Sequence, residues 1–306
     1  MVNQRVQPGT PAVQPAYCGF CSLQLSDPSA WIIEDSTTVY CSSTCRDADT
    51  RGEARFADLP AFKLTTTGVA PIDAELPYGY PRNSAVLLAG EEGALDAALP
   101  AELVWRTLTR GEPAVFVTFN DTPFSVIEQF LLLDWNVLPF LERDRLAIID
   151  CFSTHDEPTA FVDSPRCAWV KHVERFAKGS TRTLRDPTDV QEIATRLVTA
   201  LEDRAMYNTG CIVIDSLTEF ATTVPPVHAH NFLKDIRAQA CKTHFVPLFA
   251  GATISEEDTF PLDMTHVVDG RIDMRLAERG DERRLYKELC VRKMDSVPST
   301  TNWRHV

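Results

Sequence analysis

The chain has 306 residues, 44% of them hydrophobic, enough for one large α/β domain with a substantial core and a small extra module. No apolar run approaches the roughly 20 residues of a membrane span, and Arg5 has no apolar stretch behind it. Neither a transmembrane segment nor a signal peptide is expected, and the cytoplasm is the expected compartment. A net charge of −13 repels nucleic acid at long range, and the ratio of 23 Arg to 7 Lys with excess acid fits a GC-rich or salt-adapted source.

Residues 1–16, rich in Pro, Gln and Val, carry no periodicity and read as a disordered arm. Residues 17–58 follow as a small module. Nineteen residues separate Cys18-Gly19-Phe20-Cys21 from Cys41-Ser42-Ser43-Thr44-Cys45. Two close thiol pairs at this spacing can surround one Zn²⁺ tetrahedrally, so Cys18, Cys21, Cys41 and Cys45 are the expected ligands. Trp31–Ile33 and Thr37–Tyr40 form a hairpin around Glu34-Asp35-Ser36. Cys41 and Cys45, four apart, share one face of a helix's first turn. A redox CxxC would leave the second pair without a role. The pattern resembles treble-clef zinc fingers of the FCS/TRASH kind, in which a knuckle leads through a hairpin into a YCSxxC helix start. That resemblance implies a structural or protein-binding module. At this size the metal replaces a hydrophobic core. Arg46, Arg51 and Arg55 alternate with Asp47, Asp49, Glu53 and Asp58, which is a mixed solvated face rather than a phosphate-binding stripe. The other cysteines, Cys151, Cys167, Cys211, Cys241 and Cys290, are scattered and read mostly as small buried hydrophobes.

After Leu59-Pro60, which ends the helix behind the module, strand and helix alternate. Ala85–Ala89 is a buried apolar strand and Ala94–Thr109 a helix. Between them Gly90 to Ala97, GEEGALDA, stands where a nucleotide-binding fold carries its phosphate-cradling loop. A working GxxxxGK[ST] loop needs a Lys on the β- and γ-phosphates and a hydroxyl on Mg²⁺. Aligned on Gly90, this chain has Leu95 at the second Gly, Asp96 at the Lys and Ala97 at the hydroxyl, with Gly93, Glu91 and Glu92 in the loop. One like-charge pair at ~4 Å costs roughly 4 kcal/mol at an effective dielectric near ~20. Ordinary Mg-ATP binding is therefore expected to be lost.

Ala114–Phe119 is the next strand and Phe124–Leu133 the next helix; Leu146–Asp150 is a strand, and a loop-rich stretch runs to about Arg185. Val190–Ala205 is a helix, Cys211–Ile214 an apolar strand ending at Asp215, His228–Thr243 helical and Phe245–Ala250 strand-like. Gly270–Glu278 and Arg283–Val291 flank Arg279-Gly280-Asp281-Glu282 as a hairpin. The alternation predicts a mostly parallel sheet flanked by helices, closed by an antiparallel hairpin.

Thr67-Gly68-Val69, Asp73, Gly79-Tyr80-Pro81-Arg82, Arg110-Gly111-Glu112-Pro113-Ala114, Ile214-Asp215-Ser216-Leu217-Thr218 and Val291-Arg292-Lys293-Met294 together resemble the KaiC-like branch of the RecA superfamily in its archaeal single-domain form. The resemblance runs from about residue 65 to 306, and the composition suggests a haloarchaeal member. It implies that Gly90 to Ala97 is a degenerate Walker A loop and that Asp215 is the Walker B carboxylate, which in active members holds the Mg²⁺ water shell. It also implies that Asn120 and Asp121 stand where the family carries its catalytic pair of Glu. Asn120 cannot act as a general base. Gly90, Gly93, Asp96 and Asp215 thus mark a vestigial nucleotide site. The bland reading of Asp215 is a cap for the helix starting at Leu217, and of Asp121 a cap for the helix at Thr122–Phe124.

Other candidates are weaker. His228 and His230 diverge if they start a helix. His155-Asp156-Glu157 shows no triad spacing, and Cys151 at a strand end is a lone thiol. Trp135–Leu138 reads as packing, and Trp303 near the chain's end as an aromatic tucked onto its own or a neighbour's surface. The expectation is a pseudo-ATPase without catalytic residues, acting as a regulatory or scaffolding protein, with Zn²⁺ but not ATP as cofactor. Protein partners, with a homo-oligomer open, fit this; nucleic acid is not favoured. Two alternatives stand: a nucleotide-binding switch using arginines in trans, and a nucleic-acid-binding regulator led by the zinc finger.

Overall fold

The computed structural model describes residues 16–25, 32–34, 38–53, 55, 64–95, 98–153, 169, 171–173, 175, 176, 179–254, 264–279 and 284–306. The arm apart from Ala16, the Leu59-Pro60 helix end, Asp96, Ala97, His155-Asp156-Glu157, Cys167 and Gly280-Asp281-Glu282 lie outside the described residues. The chain divides into two compact units, residues 1–63 and 64–306.

In the smaller unit β1 (Ala16–Tyr17) pairs antiparallel with β2 (Gln24–Leu25) around the first cysteine pair. β3 (Ile32–Ile33) pairs with β4 (Val39–Tyr40), where a hairpin is expected from the sequence. α1 (Ser43–Thr50) follows. Its N-cap is Ser42, whose hydroxyl accepts from the Cys45 N–H at 3.2 Å. Among the described residues of this unit, Phe20, Leu25, Tyr40 and Ala48 are the buried apolar side chains besides cysteine.

In the larger unit β5 (Leu64–Thr65) and β6 (Tyr80–Pro81) pair antiparallel on either side of α2 (Ala70–Glu75). The Asp73 carboxylate closes this turn by accepting from the N–H groups of Thr67 and Gly68 at 2.8 and 2.9 Å. The central strands are β7 (Ala85–Glu91), β8 (Ala114–Thr118), β9 (Leu146–Asp150), β10 (Thr181–Thr183), β11 (Cys211–Ile214) and β12 (Leu248–Ile254). With β13 (Gly270–Arg279), β14 (Arg284–Met294) and β15 (Arg304–His305) they form one sheet in the order β10-β9-β8-β11-β12-β7-β13-β14-β15. All neighbours from β10 to β13 run parallel, and the last two pairings are antiparallel.

The apolar runs make these strands because both faces are buried. Leu87, Val115, Val117, Ile149, Ile212 and Ile214 face α6 (Val190–Asp203), α7 (Leu217–Thr223) and α8 (Pro226–Ile236). Val86, Leu88, Phe116, Ile148 and Val213 alternate with them. They pack with α3 (Ala98–Thr109), α4 (Pro123–Leu132) and α5 (Leu138–Glu142). The predicted α/β architecture is thus present, a mostly parallel sheet between helical layers with an antiparallel ending.

Among the boundaries that differ from the sequence reading, three have a local cause. The helix expected from Ala94 is described from Ala98 as α3, and Ala94 and Leu95 lie in a turn before it. β12 begins at Leu248 instead of Phe245. Phe245 has φ +55°, and Pro247 has no N–H for the ladder. The helical run to Thr243 is α-helical only to Ile236 and continues as a π-helix over Arg237–Thr243. A widened turn brings residues five apart onto one side. Arg237 and Lys242 both reach Asp269, at 2.6 and 2.9 Å, and Asp269 also accepts from the Ala85 N–H at the head of β7.

The segment after β14 lies on the larger unit itself. Glu75 is fully buried and accepts from the Asn302 N–H at 3.1 Å, from the Thr300 hydroxyl and from Arg304. Burial raises the Glu75 carboxyl, but these donors outweigh it and hold the group below its ordinary value. The Arg275 guanidinium sits 3.9 Å from the centre of the Trp303 ring.

Candidate functional site

The chain leaves β8 for β9 on one side and returns from β10 to β11 on the other, so the strand order reverses between β8 and β11. Ligands of open α/β sheets bind outside the carboxyl ends of the strands at such a point. A cavity of about 190 Å³ opens there. Leu95, Phe116, Val126 and Ala252 form its apolar wall; Asn120, Asp121, Gln129, Asp215, Ser216 and Thr253 form its polar one. None of these side chains is basic.

Asp215 ends β11. One carboxylate oxygen accepts from the Phe119 N–H at 2.9 Å, the other from the Thr118 hydroxyl at 2.9 Å and the Asn120 N–H at 3.2 Å. Burial pushes this carboxyl up to about 6, against the lowering effect of those donors. The carboxylate therefore ties the loop after β8 to β11. It does not cap the next helix: Ser216 does, accepting from the Glu219 N–H at 3.0 Å. Asp121 is likewise no cap, since Thr122 fills that place and accepts from the Ser125 N–H. Asp121 instead accepts from the Gln129 amide at 3.0 Å.

The loop after β7 is folded on itself. The Glu91 carbonyl accepts from the N–H groups of Ala94 and Leu95 at 2.9 and 3.4 Å. A phosphate-binding nest needs successive N–H groups aimed at the anion, and two of them are used here. A Cβ on Gly90 would stand 2.3 Å from the Leu95 Cβ. A Cβ on Gly251 would stand 2.3 Å from the Asp215 carbonyl and 3.5 Å from Leu95 Cδ2. Glycines at the ends of β7 and β12 thus let Leu95 settle over the strand ends and pack on the core. Gly93 takes φ +78° in the turn. Gly90 and Leu95 therefore meet, Leu95 and Asp215 share the cavity, and Asp96 lies outside the described residues.

Sequence reasoning missed Gln129, Thr253 and the inward placement of Leu95. Gln129 carried a signal: it lies three residues after Val126 on α4 and so shares its face. Thr253, 38 residues beyond Asp215 at the end of β12, carried none.

In the smaller unit Cys18, Cys21, Cys41 and Cys45 converge, with all four sulfurs within 4.8 Å of one another, and could hold a metal ion. Cys41 Sγ lies 3.5 Å from Cys45 Sγ and 3.8 Å from Cys21 Sγ. A tetrahedron with Zn–S bonds of about 2.3 Å has edges of about 3.8 Å. The Gly19 N–H donates to the Val39 carbonyl at 2.8 Å, which clips the first cysteine turn to β4. Burial opposes ionisation of Cys18, but backbone hydrogen bonds from Cys21, Cys41 and Phe20 bring its thiol down to about 6. Burial, with a Cys18 thiolate beside it, pushes Cys21 up to about 12. A divalent cation at the centre would offset that repulsion.

The remaining candidates do not join either site. His228 and His230 lie on α8 with buried Ala229 between them. Cys151 is buried behind Asp150, and burial raises its thiol well above the ordinary value. Among the described residues no helix is long and apolar enough to cross a membrane.

The chain is 26% identical to the UPF0273 protein of Thermotoga maritima over 233 residues, 76% of this chain and 87% of that protein. It is 26% identical to the UPF0273 protein PH0284 of Pyrococcus horikoshii, covering 74% and 83%. In fold it is similar to the KaiC-like protein PH0186 of Pyrococcus horikoshii, with a TM-score of 0.60, 15% identity and coverage of 79% of this chain and 94% of that one. A family model described as "ATPase: KaiC" matches residues 65–304, the stretch that carries the sheet, the loop after β7 and Asp215. The chain belongs to the KaiC ATPase family.

Proposed function

We propose that the larger unit is a KaiC-family pseudo-ATPase. It keeps its fold and has lost nucleotide turnover. The chain acts through protein contacts as a regulator or scaffold, and zinc holds its N-terminal module together. The observation that carries this reading is the loop after β7: Leu95 packs over the strand ends, and the Glu91 carbonyl occupies the N–H groups of Ala94 and Leu95. The residues support it. Asp96 replaces the phosphate-gripping cation, Ala97 the Mg²⁺-binding hydroxyl and Asn120 the general base. The cavity walls offer carboxylates and amides where a triphosphate needs cations. The acid excess and Arg-over-Lys bias fit a salt-adapted, haloarchaeal host.

The test is equilibrium binding of labelled ATP to the full chain with Mg²⁺, followed by phosphate release. The expected result is no binding at micromolar ATP and no Mg-dependent release. Micromolar affinity with turnover overturns the reading.

For the module, four thiols within 4.8 Å are the donor set of a structural zinc site, and Cys18, Cys21, Cys41 and Cys45 would hold the ion. Zinc there supplies cross-linking, not chemistry. One zinc per purified chain by elemental analysis is the expected result.

A further inference from the structure

The four clustered sulfurs are unequal. Cys18 and Cys21 are 2% and 4% exposed, Cys45 is half-buried and Cys41 is exposed. Cys41 lies 3.5 Å from Cys45, the other accessible sulfur, and 3.8 Å from Cys21. Cys41 precedes the N-cap Ser42, so the helix does not fix its backbone. Two sulfurs at this separation need to close by about 1.5 Å to reach a disulfide bond length.

The other described cysteines compete poorly for an oxidant. Cys151, Cys211, Cys241 and Cys290 are buried. Burial raises all four thiols, Cys211 to about 11 and Cys241 to about 12. The thiolate is the form that attacks an oxidant, and a metal-bound thiol is already deprotonated. Accessible sulfur among the described residues is therefore concentrated at Cys41 and Cys45.

From this arrangement we infer that the module is a peroxide-responsive zinc switch, in which Cys41 and Cys45 close a disulfide and release the metal. This rests on the zinc reading above. The Cys41 thiolate attacks one oxygen of a hydroperoxide; the S–O bond forms, the O–O bond breaks, and the leaving hydroxide or alkoxide takes up a proton. The Cys45 thiolate then attacks the Cys41 sulfur; the S–S bond forms, the S–O bond breaks, and hydroxide leaves as water with a second proton. Two electrons pass from the sulfurs to the peroxide. Zinc keeps only Cys18 and Cys21 and dissociates. The module, with few apolar contacts of its own, loses its cross-link and unfolds. A dithiol reductant with fresh zinc reverses the change.

The experiment uses the full chain loaded with stoichiometric zinc salt. Zinc content is measured first, and hydrogen peroxide is then titrated in. A chromogenic chelator follows released zinc, and peptide mass mapping identifies the disulfide. The expected result is complete zinc release with the loss of two thiols per chain, a Cys41–Cys45 cross-linked peptide, and recovery of zinc binding after dithiothreitol. A chain that takes up no zinc overturns both this inference and the metal reading. A chain that binds zinc and keeps it while buried thiols are consumed, or loses it with a Cys18–Cys21 disulfide, overturns this inference alone.

Discussion

In the N-terminal module four thiols that could hold a metal ion converge on one point, while the apolar core among the described residues amounts to a handful of side chains such as Phe20, Tyr40 and Ala48. At the carboxyl edge of the sheet the balance is reversed. Apolar layers cover both faces of the strands, and the loop after β7 is closed by its own carbonyl. The contrast shows that fold and chemistry are held by different residues. A sheet buried on both faces is held by its apolar layers. In a module of some forty residues Cys18, Cys21 and Cys45 are themselves part of the small core.

The largest expected effect tests the weaker half of that contrast. A strong chelator should unfold the module, since structural zinc contributes about 10 kcal/mol or more to such folds. Protease sensitivity should rise before residue 63 while the larger unit keeps its thermal transition. A single shared transition would break the contrast. The converse variant is Phe220→Ala. Its ring is fully buried, 4.7 Å from that of Phe119 and 5.1 Å from that of Phe232. The loss is about 3–5 kcal/mol in chemical denaturation, and zinc content should not change. Gly251→Ala should cost about 1–3 kcal/mol, because the new methyl meets the Asp215 carbonyl. If stability is unchanged, the crevice is looser than its contacts show.

The smallest effect sharpens the electrostatics of the crevice. The folded state holds the Asp215 proton more tightly than the unfolded chain, where a carboxyl titrates near about 3.9. Its contribution to stability is therefore fully present below that value and lost as pH rises through about 6. Wild type should gain on Asp215→Asn by roughly 2 kcal/mol between pH 7 and pH 4 in urea denaturation. A gap independent of pH would show that the carboxylate is not desolvated.

Much of this molecule is legible in its sequence, and the reasons are local. Ala85–Ala89 and Cys211–Ile214 read as buried strands because unbroken apolar runs suit a sheet covered on both faces. The spacing of Cys18, Cys21, Cys41 and Cys45 points to one centre because short loops fix where each pair can reach. The helix caps were misread because Asp215 and Ser216, like Asp121 and Thr122, are adjacent residues of equal capping ability. Only the loop geometry decides which one points at the helix. Leu95 read as helix because nothing in GEEGALDA tells the chain that Gly90 and Gly251 leave room above them. The hold of Glu75 on Thr300 spans 225 residues and has no periodic signature.

The widened turn over Arg237–Thr243 bears on how the chain can change in length. Residues five apart on a regular α-helix diverge by about 140°, whereas residues four apart lie within about 40°. Arg237 and Lys242 reach Asp269 together only because the segment accommodates one residue more than a regular helix would. Excising Ala238 or Gln239, both exposed, leaves two cations at regular helical spacing beside the same carboxylate. The turn behaves as a stored insertion, a place where the polypeptide gains or sheds a residue without disturbing the head of β7.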